Sequence, residues 1–174
     1  MPKGKPAPVV RPGEFVFAAV GLDHAHIGGM INGLLEAGAT LKYLFDPDKA
    51  KMEVYKKMFP QARIASCEEE VLSDPEVRLV ASACVPSERC ALGLRVMDAG
   101  KDYFADKPPL TTLEQLESAK KKAERTGRKY AVYYSERIHN EEAVFAGELI
   151  KKGAIGNVIQ TIGLGPHRLS ADLR

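Results

Sequence analysis

The sequence has little net charge, few cysteines and no long apolar stretch. Its 25 Lys and Arg residues nearly balance its 23 Asp and Glu residues, and a net charge of +2 gives no reason to expect a nucleic-acid partner. No apolar run is long enough to cross a bilayer, and the first thirteen residues lack the apolar core of a signal peptide. Cys67, Cys84 and Cys90 form neither an even set nor a metal-binding spacing. We therefore expect a cytoplasmic protein with reduced thiols and no membrane partner.

Three regions can be separated along the 174 residues. Residues 1–13 are rich in proline and basic residues and are predicted to be a flexible leader. Residues 14–136 alternate short apolar runs with helical patterns and are long enough to bury a substantial core. From residue 137 the pattern changes to one helix, Glu141–Lys152, and a strand over residues 158–164. We interpret residues 137–174 as the beginning of a second, incomplete domain of the α+β type.

The alternation in residues 14–136 predicts an α/β fold with a doubly wound parallel sheet. Six strands in the order 3-2-1-4-5-6 are expected, because right-handed crossovers leave few other arrangements. The strand patterns cover residues 15–20, 41–45, 62–65, 77–85, 103–105 and 130–134. Ser87 is the expected N-cap of the helix that follows the fourth strand.

A glycine turn follows the first strand and opens the first helix. Gly21 allows the chain to turn sharply, so that the positive end of the helix can face an anion such as a pyrophosphate. In the dinucleotide-binding fingerprint, glycines occupy the first, third and sixth positions, which here are Gly21, Asp23 and His26. Only the first glycine is present, and Asp23 brings a carboxylate towards the phosphates unless it caps the helix.

Ligands of such sheets bind beyond the carboxyl ends of the strands, at the point where the strand order reverses. Candidate residues follow the carboxyl ends of four of the predicted strands, and so are expected to lie near one another. They are Gly21 after the first strand, Asp46 after the second, Val85, Pro86 and Ser87 after the fourth, and Asp106 and Lys107 after the fifth. The turn residues Leu22, Asp23, His24 and His26 are further candidates for cofactor contacts.

Asp46 ends the second strand, where an acid can accept hydrogen bonds from the ribose hydroxyls of a dinucleotide. Its alternative role is to cap the helix that begins near Asp48. A carboxylate here disfavours a 2′-phosphate and no arginine follows directly, so NAD is expected in preference to NADP.

His24 and His26 form a His-x-His pair, but two imidazoles without a third ligand at suitable spacing are too few for zinc, so no metal site is expected. These side chains are expected to surround the cofactor phosphates or nicotinamide, or to be structural.

Several segments together resemble the glucose–fructose oxidoreductase/inositol dehydrogenase/MocA family. They are Asp46-Pro47-Asp48, Val85-Pro86-Ser87, AGKDYFADKPP and KKGAIGNV, in this order. The resemblance covers the family's Rossmann domain, about residues 14–134, and Asp106-Lys107-Pro108 stands where the family has Glu-Lys-Pro. It implies a nicotinamide dinucleotide and hydride transfer at a sugar, cyclitol or related hydroxyl carbon.

The resemblance also implies roles for single residues. Lys107 would polarise the substrate oxygen or pass a proton as hydride leaves. Arg137 would contact the cofactor or substrate, or form a structural ion pair. Independently of the resemblance, His167 and Arg168 in the segment GPHRL are expected to line a substrate pocket if the second domain is complete.

Two alternatives to a dehydrogenase remain. A domain of this fold can be a non-catalytic dinucleotide sensor or interaction module, which the irregular glycine motif favours. A methyltransferase would explain Gly21 and Asp46 but not Asp106-Lys107-Pro108.

The last predicted strand has no predicted partner, and exposed strand edges tend to pair, so we expect a homo-oligomer or a disordered tail. Because half of the substrate pocket would be missing, we expect the chain alone to bind cofactor without turnover.

Overall fold

The apolar run that opens the predicted domain forms the central strand of a parallel sheet. The computed structural model describes residues 7–135 and 140–164. Its six strands are β1 (Val16–Val20), β2 (Thr40–Phe45), β3 (Arg63–Ile64), β4 (Val77–Ser82), β5 (Asp102–Asp106) and β6 (Tyr130–Tyr133). They pair in parallel in the order β3-β2-β1-β4-β5-β6, which confirms the predicted doubly wound α/β fold.

The helices alternate with the strands as the sequence pattern predicts. They are α1 (His26–Glu36), α2 (Lys49–Met58), α3 (Glu68–Ser73), α4 (Pro86–Asp98), α5 (Leu113–Thr126) and α6 (Glu141–Lys151). Their ends follow from local chemistry. Asp48 and Thr112 cap α2 and α5 by accepting backbone N–H groups, and Gly127 ends α5 in the left-handed conformation.

Both faces of the sheet are buried, which explains why its central strand β1 is apolar at every position. Phe17 and Ala19 of β1 face a core formed with α1 and α2. Ala18 and Val20 of the same strand face a second core, formed with α3 and α4. The alternation along β1 thus divides the apolar side chains between two helical layers.

Three sequence predictions need correction. β4 ends at Ser82 rather than Val85, because the amide of Ala83 turns to donate to the Gly21 carbonyl at 3.0 Å. Ser87 is not the N-cap of α4: the helix begins at Pro86 and Val85 is the N-cap. Proline is suited to this first position because its missing N–H has no helical partner there.

The third correction concerns the strand predicted over residues 158–164. These residues form no strand, because no described part of the chain supplies a ladder partner for them. The chain divides into two compact units between Tyr134 and Ser135. In the described part of the second unit, α6 is capped by Asn140, whose side chain accepts from the Ala143 amide at 3.1 Å.

The second half of the predicted leader is bound to the first unit. The amides of Val9 and Val10 donate to the Ala37 carbonyl at 2.9 and 3.2 Å, and the Gly13 amide donates to Thr40 Oγ1 at 2.9 Å. Among residues 7–135 and 140–164, no helix is both long enough and apolar enough to cross a membrane.

Lys101 is a buried cation with a structural role. Its side chain is 4% exposed, and its Nζ donates to the carbonyls of Asp74 at 2.6 Å and Val77 at 2.9 Å. Burial lowers the pKa of Lys101, and the nearby Asp74 carboxylate partly offsets that effect. The lysine thus ties the start of β5 to the turn that leads into β4.

Gly93 of α4 packs closely against two tyrosine rings of the sheet. A Cβ at this position would be 2.6 Å from the Tyr103 ring and 2.7 Å from the Tyr130 ring, two rings that themselves pack edge to face. We expect Gly93→Ala to lower the free energy of unfolding by about 1–3 kcal/mol, as overpacking does in other cores. Urea denaturation measures this change.

Gly33→Ala is the matched control, because a Cβ at Gly33 in α1 meets nothing within 4 Å. There the better helix propensity of alanine should raise stability by about 0.5–1 kcal/mol. Equal effects of the two substitutions would contradict the close packing at Gly93.

Candidate functional site

The turn after β1 requires glycine. Gly21 has a φ of +74°, and a Cβ there would lie 2.6 Å from the Cβ of Cys84. Its N–H donates to the Phe45 carbonyl at 3.0 Å and its carbonyl accepts from the Ala83 amide at 3.0 Å. Gly21 therefore joins the carboxyl ends of β1, β2 and β4 at the point where the strand order reverses.

Asp46, at the end of β2, connects this turn to the start of α2. Its Oδ2 accepts from the Leu22 amide at 2.7 Å, and its Oδ1 accepts from the Asp48 amide at 2.8 Å. The cap of α2 itself is Asp48, whose side chain accepts from the Ala50 amide. Asp46 thus holds the turn as well as the helix start. Leu22 takes part through its amide, since its side chain is buried in the core.

Asp23 does not cap α1, whose N-cap Ala25 has no side-chain hydrogen bond. Its Oδ1 instead lies 2.6 Å from the Nζ of Lys51, which also lies 3.8 Å from Asp46 Oδ1. The Asp23 hydrogen bond, aided by Asp46, raises the pKa of Lys51, while desolvation opposes that rise. Asp23, which stands where the fingerprint has its second glycine, is therefore paired with Lys51 of α2. No feature of the sequence identified Lys51 as part of the site.

A cleft of about 410 Å³ opens beside this turn. Gly21, Asp46 and Cys84 line it, together with charged residues of α2, α3 and α4. Among them, Arg95 donates to both carboxylate oxygens of Glu68, at 2.6 and 2.9 Å. The cleft is lined by Val20, Gly21, Asp23, Phe45, Asp46, Pro47, Asp48, Lys51, Glu68, Cys84, Glu88, Ala91, Leu92 and Arg95.

A second buried carboxylate, Asp106, lies at the carboxyl end of β5. Asp106 Oδ1 is 2.9 Å from His26 Nδ1, and Asp106 Oδ2 is 3.6 Å from His24 Nδ1 and 3.3 Å from Arg89 Nη2. His26 also packs edge to face against Tyr133. The side chain of His26, which stands where the fingerprint has its third glycine, therefore points towards β5 and β6.

Arg89 organises the loop that carries Lys107. The Arg89 guanidinium is 3% exposed and donates to the Cys84 carbonyl at 2.7 Å and to the Pro108 carbonyl at 2.9 Å, besides Asp106. The Lys107–Pro108 peptide bond is cis, and the Lys107 side chain is half-buried. No motif identified Arg89, because its partners are distributed along 25 residues of sequence and meet only in the fold.

The other candidates have different positions. Val85 and Ser87 are exposed at the start of α4, where Pro86 is half-buried. Arg137, His167 and Arg168 lie outside the described residues. The structure therefore brings Leu22, Asp23 and Asp46 together at the ends of β1 and β2, and His24, His26 and Asp106 at the ends of β1 and β5.

The chain matches the GFO_IDH_MocA family, described as an oxidoreductase family with an NAD-binding Rossmann fold, over residues 21–134. This match covers more than half of the chain, so the chain belongs to that family, as the sequence motifs indicated. The curated relative scyllo-inositol 2-dehydrogenase (NADP(+)) IolW of Bacillus subtilis (strain 168) is 27% identical over 109 residues, which are 63% of this chain and 30% of the relative.

Solved structures give the same fold. A protein from Erwinia carotovora atroseptica SCRI1043, described as an oxidoreductase, is 45% identical with a TM-score of 0.89; the match covers 92% of this chain and 48% of that one. The WlbA dehydrogenase of Bordetella pertussis, in complex with NADH and UDP-GlcNAcA, is 20% identical with a TM-score of 0.69, over 84% of this chain and 41% of that one. The chain thus spans less than half the length of these relatives.

The environment of His24 predicts a measurable titration. Desolvation and the neighbouring His26 lower the pKa of His24 from its ordinary 6.5; Asp106 opposes this, and Arg89 and Lys107 add to it. We expect an NMR titration of the His24 imidazole to have its midpoint below 6.5.

The sign of the stability effect follows. Because the pKa of His24 is lower in the folded chain, the unfolded chain takes up this proton first as the pH falls. The stabilisation associated with His24 is therefore fully present above pH 6.5 and is lost as the pH is lowered through the folded-state pKa. His24→Asn removes that contribution. A midpoint at or above 6.5 would contradict the proposed environment.

Proposed function

We propose that this chain binds a nicotinamide dinucleotide across the carboxyl edge of its sheet. We further propose that the enzyme it belongs to transfers a hydride between that cofactor and a sugar, cyclitol or related hydroxyl compound. The observation that carries the proposal is that the Gly21 turn and Asp46 are joined at the switch point of a Rossmann sheet, while Arg89 ties the loop after Lys107 to the end of β4 beside them. The family assignment and the inositol dehydrogenase relative support the same chemistry.

The adenosine half of the cofactor would occupy the cleft beside Asp46. Each carboxylate oxygen of Asp46 accepts one backbone amide and has a second lone pair, which can accept from a ribose hydroxyl. Lys51 could serve a 2′-phosphate, but it is paired with Asp23 at 2.6 Å and lies close to Asp46. We therefore propose NAD as the preferred cofactor, although the curated relative is named for NADP(+).

The nicotinamide half would extend towards β5, where Lys107 follows Asp106. Arg89 donates to the backbone carbonyl of Pro108 and to the side-chain carboxylate of Asp106, and so holds the residues on both sides of Lys107. A lysine held beside cofactor and substrate can polarise the reacting oxygen or pass its proton as hydride moves. Substrate contacts from Arg137, His167 and Arg168 are part of this proposal.

A second candidate function follows from the glycine turn. Asp23 and His26 stand where two fingerprint glycines allow the backbone to approach a pyrophosphate. A dinucleotide sensor or interaction module without turnover would tolerate this departure. An effect of Lys107 on turnover separates the two functions.

The cofactor proposal predicts a preference that calorimetry can measure. We expect the chain to bind NADH more tightly than NADPH, because Asp46 accepts from a free ribose and repels a 2′-phosphate. Asp46→Asn keeps the size of the side chain but loses its charge, and should weaken NADH binding about tenfold while NADPH binding weakens less.

Asp98→Asn is the charge-matched control, since Asp98 pairs with Lys122 and Arg125 at the end of α4. It should leave both affinities unchanged. Thermal melts show whether Asp46→Asn still folds. If the folded variant keeps the parent ratio of NADH to NADPH affinity, the role of Asp46 is wrong; if the parent binds neither cofactor, cofactor binding by this chain is wrong.

Lys107 has its own test in any protein that contains this chain and turns over a sugar or cyclitol. Lys107→Ala should lower kcat about 10²–10⁴-fold, as the loss of an acid–base group does, while the Kd for NADH stays within a few fold. Lys120→Ala, in the exposed lysine run of α5, is the matched control. A Lys107→Ala protein with parental kcat would contradict the catalytic role of Lys107.

A further inference from the structure

We propose that His24, His26 and Asp106 form a binding site for a divalent transition-metal ion such as Zn²⁺. The site goes beyond the proposed function and does not depend on it, because its ligands are side chains of this chain alone. The three residues come from the glycine turn, the first position of α1 and the last position of β5.

The donor atoms converge at a separation that suits one ion. One ligand atom from each residue lies within 4.8 Å of the other two. The Asp106 oxygens are 2.9 Å from His26 Nδ1 and 3.6 Å from His24 Nδ1. Zn–N and Zn–O bonds of about 2.0–2.1 Å place tetrahedral ligands about 3.3 Å apart, so small rotations of the imidazoles bring the three atoms around a common centre.

The protonation of His24 suits coordination. The backbone amide of His26 donates to His24 Nδ1 at 3.2 Å, so this nitrogen carries no proton, and a metal ion would take the place of the amide at its single lone pair. The His24 side chain is 54% exposed and the His26 side chain 30% exposed. An ion can therefore reach the site from solvent and keep a coordination position for water or a ligand.

Asp106 is oriented as metal-binding carboxylates commonly are, by a hydrogen bond from a residue behind it. Arg89 supplies this bond to Oδ2 at 3.3 Å, and makes its shorter bonds to the Cys84 and Pro108 carbonyls. The positive charge of Arg89 is thus shared among three acceptors. Oδ1 shares a proton with His26 Nδ1 at 2.9 Å, and the metal would bind both atoms in place of that proton, which is released to solvent.

The donor set indicates the class of ion. Two imidazole nitrogens and one carboxylate oxygen suit zinc, cobalt(II) or iron(II) better than calcium or magnesium, which prefer oxygen ligands alone. Three protein ligands with an open fourth position are typical of zinc sites that bind a further ligand rather than purely structural ones. Such an ion would lie at the carboxyl ends of β1 and β5.

Metal titration of the tag-free chain, treated first with EDTA, tests the site without any cofactor or substrate. We expect one equivalent of Zn²⁺ by calorimetry, and with Co²⁺ the visible absorption of a four- or five-coordinate complex. His24→Ala and His26→Ala should each weaken binding at least about tenfold and abolish the cobalt spectrum. Asp106→Asn should do the same, provided that circular dichroism shows a folded chain.

Cys67→Ser is the control, since Cys67 is an exposed residue of ligand type outside the cluster. It should bind zinc as the parent does. The proposal is overturned if the parent binds no stoichiometric metal, or if either histidine variant keeps the parental affinity and cobalt spectrum. NADH titrations in EDTA report on the proposed function separately.

Discussion

The buried carboxylate of Asp46 is the interaction on which the carboxyl edge of the sheet depends. It accepts two backbone amides, from Leu22 and Asp48, which are 26 residues apart in the chain. Hydrogen bonds to a charged group contribute about 1.5–3 kcal/mol each, and they offset the cost of burying the carboxylate. The conformation of the glycine turn, the start of α2 and the shape of the adjoining cleft all follow from this one group.

A second buried carboxylate organises the other side of the switch point. Asp106 and Arg89 are both almost fully buried, and the guanidinium reaches the end of β4 and the loop after β5 as well. Removing either partner would leave an uncompensated charge in the interior, which is strongly destabilising. The same pair therefore supports the sheet, orients the histidines of the glycine turn and fixes the backbone next to Lys107.

The fold could be predicted from the sequence because its signals are local. Apolar runs, helical patterns and the glycine turn at Gly21 each act within a few residues, and the crossover rule then determines the strand order. The carboxyl end of β4 was misplaced because it depends on how Ala83 bonds to Gly21 across the sheet, and the start of α4 was misplaced because Pro86 takes the first helical position. The strand expected over residues 158–164 failed for a related reason: a ladder needs a partner that sequence periodicity does not reveal.

The candidate site was only partly predictable. Gly21, Asp46 and Asp106 follow from their positions at strand ends, but what they touch does not. Lys51 and Arg89 belong to no recognisable motif. Their roles depend on partners that are distant in sequence: Asp23 is 28 residues from Lys51, and Asp106 is 17 residues from Arg89. The same limit applies to the histidine pair, whose third neighbour, Asp106, is 80 residues from His26 along the chain.

The buried Lys101 has a consequence for how the protein would respond to chemical labelling. Its amine is enclosed and hydrogen-bonded to two carbonyls, whereas the lysine run of α5 is largely open to solvent. An acylating reagent would therefore modify the surface lysines rapidly and reach Lys101 only when the turn before β4 separates from β5. Its rate of modification would report how often this part of the sheet opens.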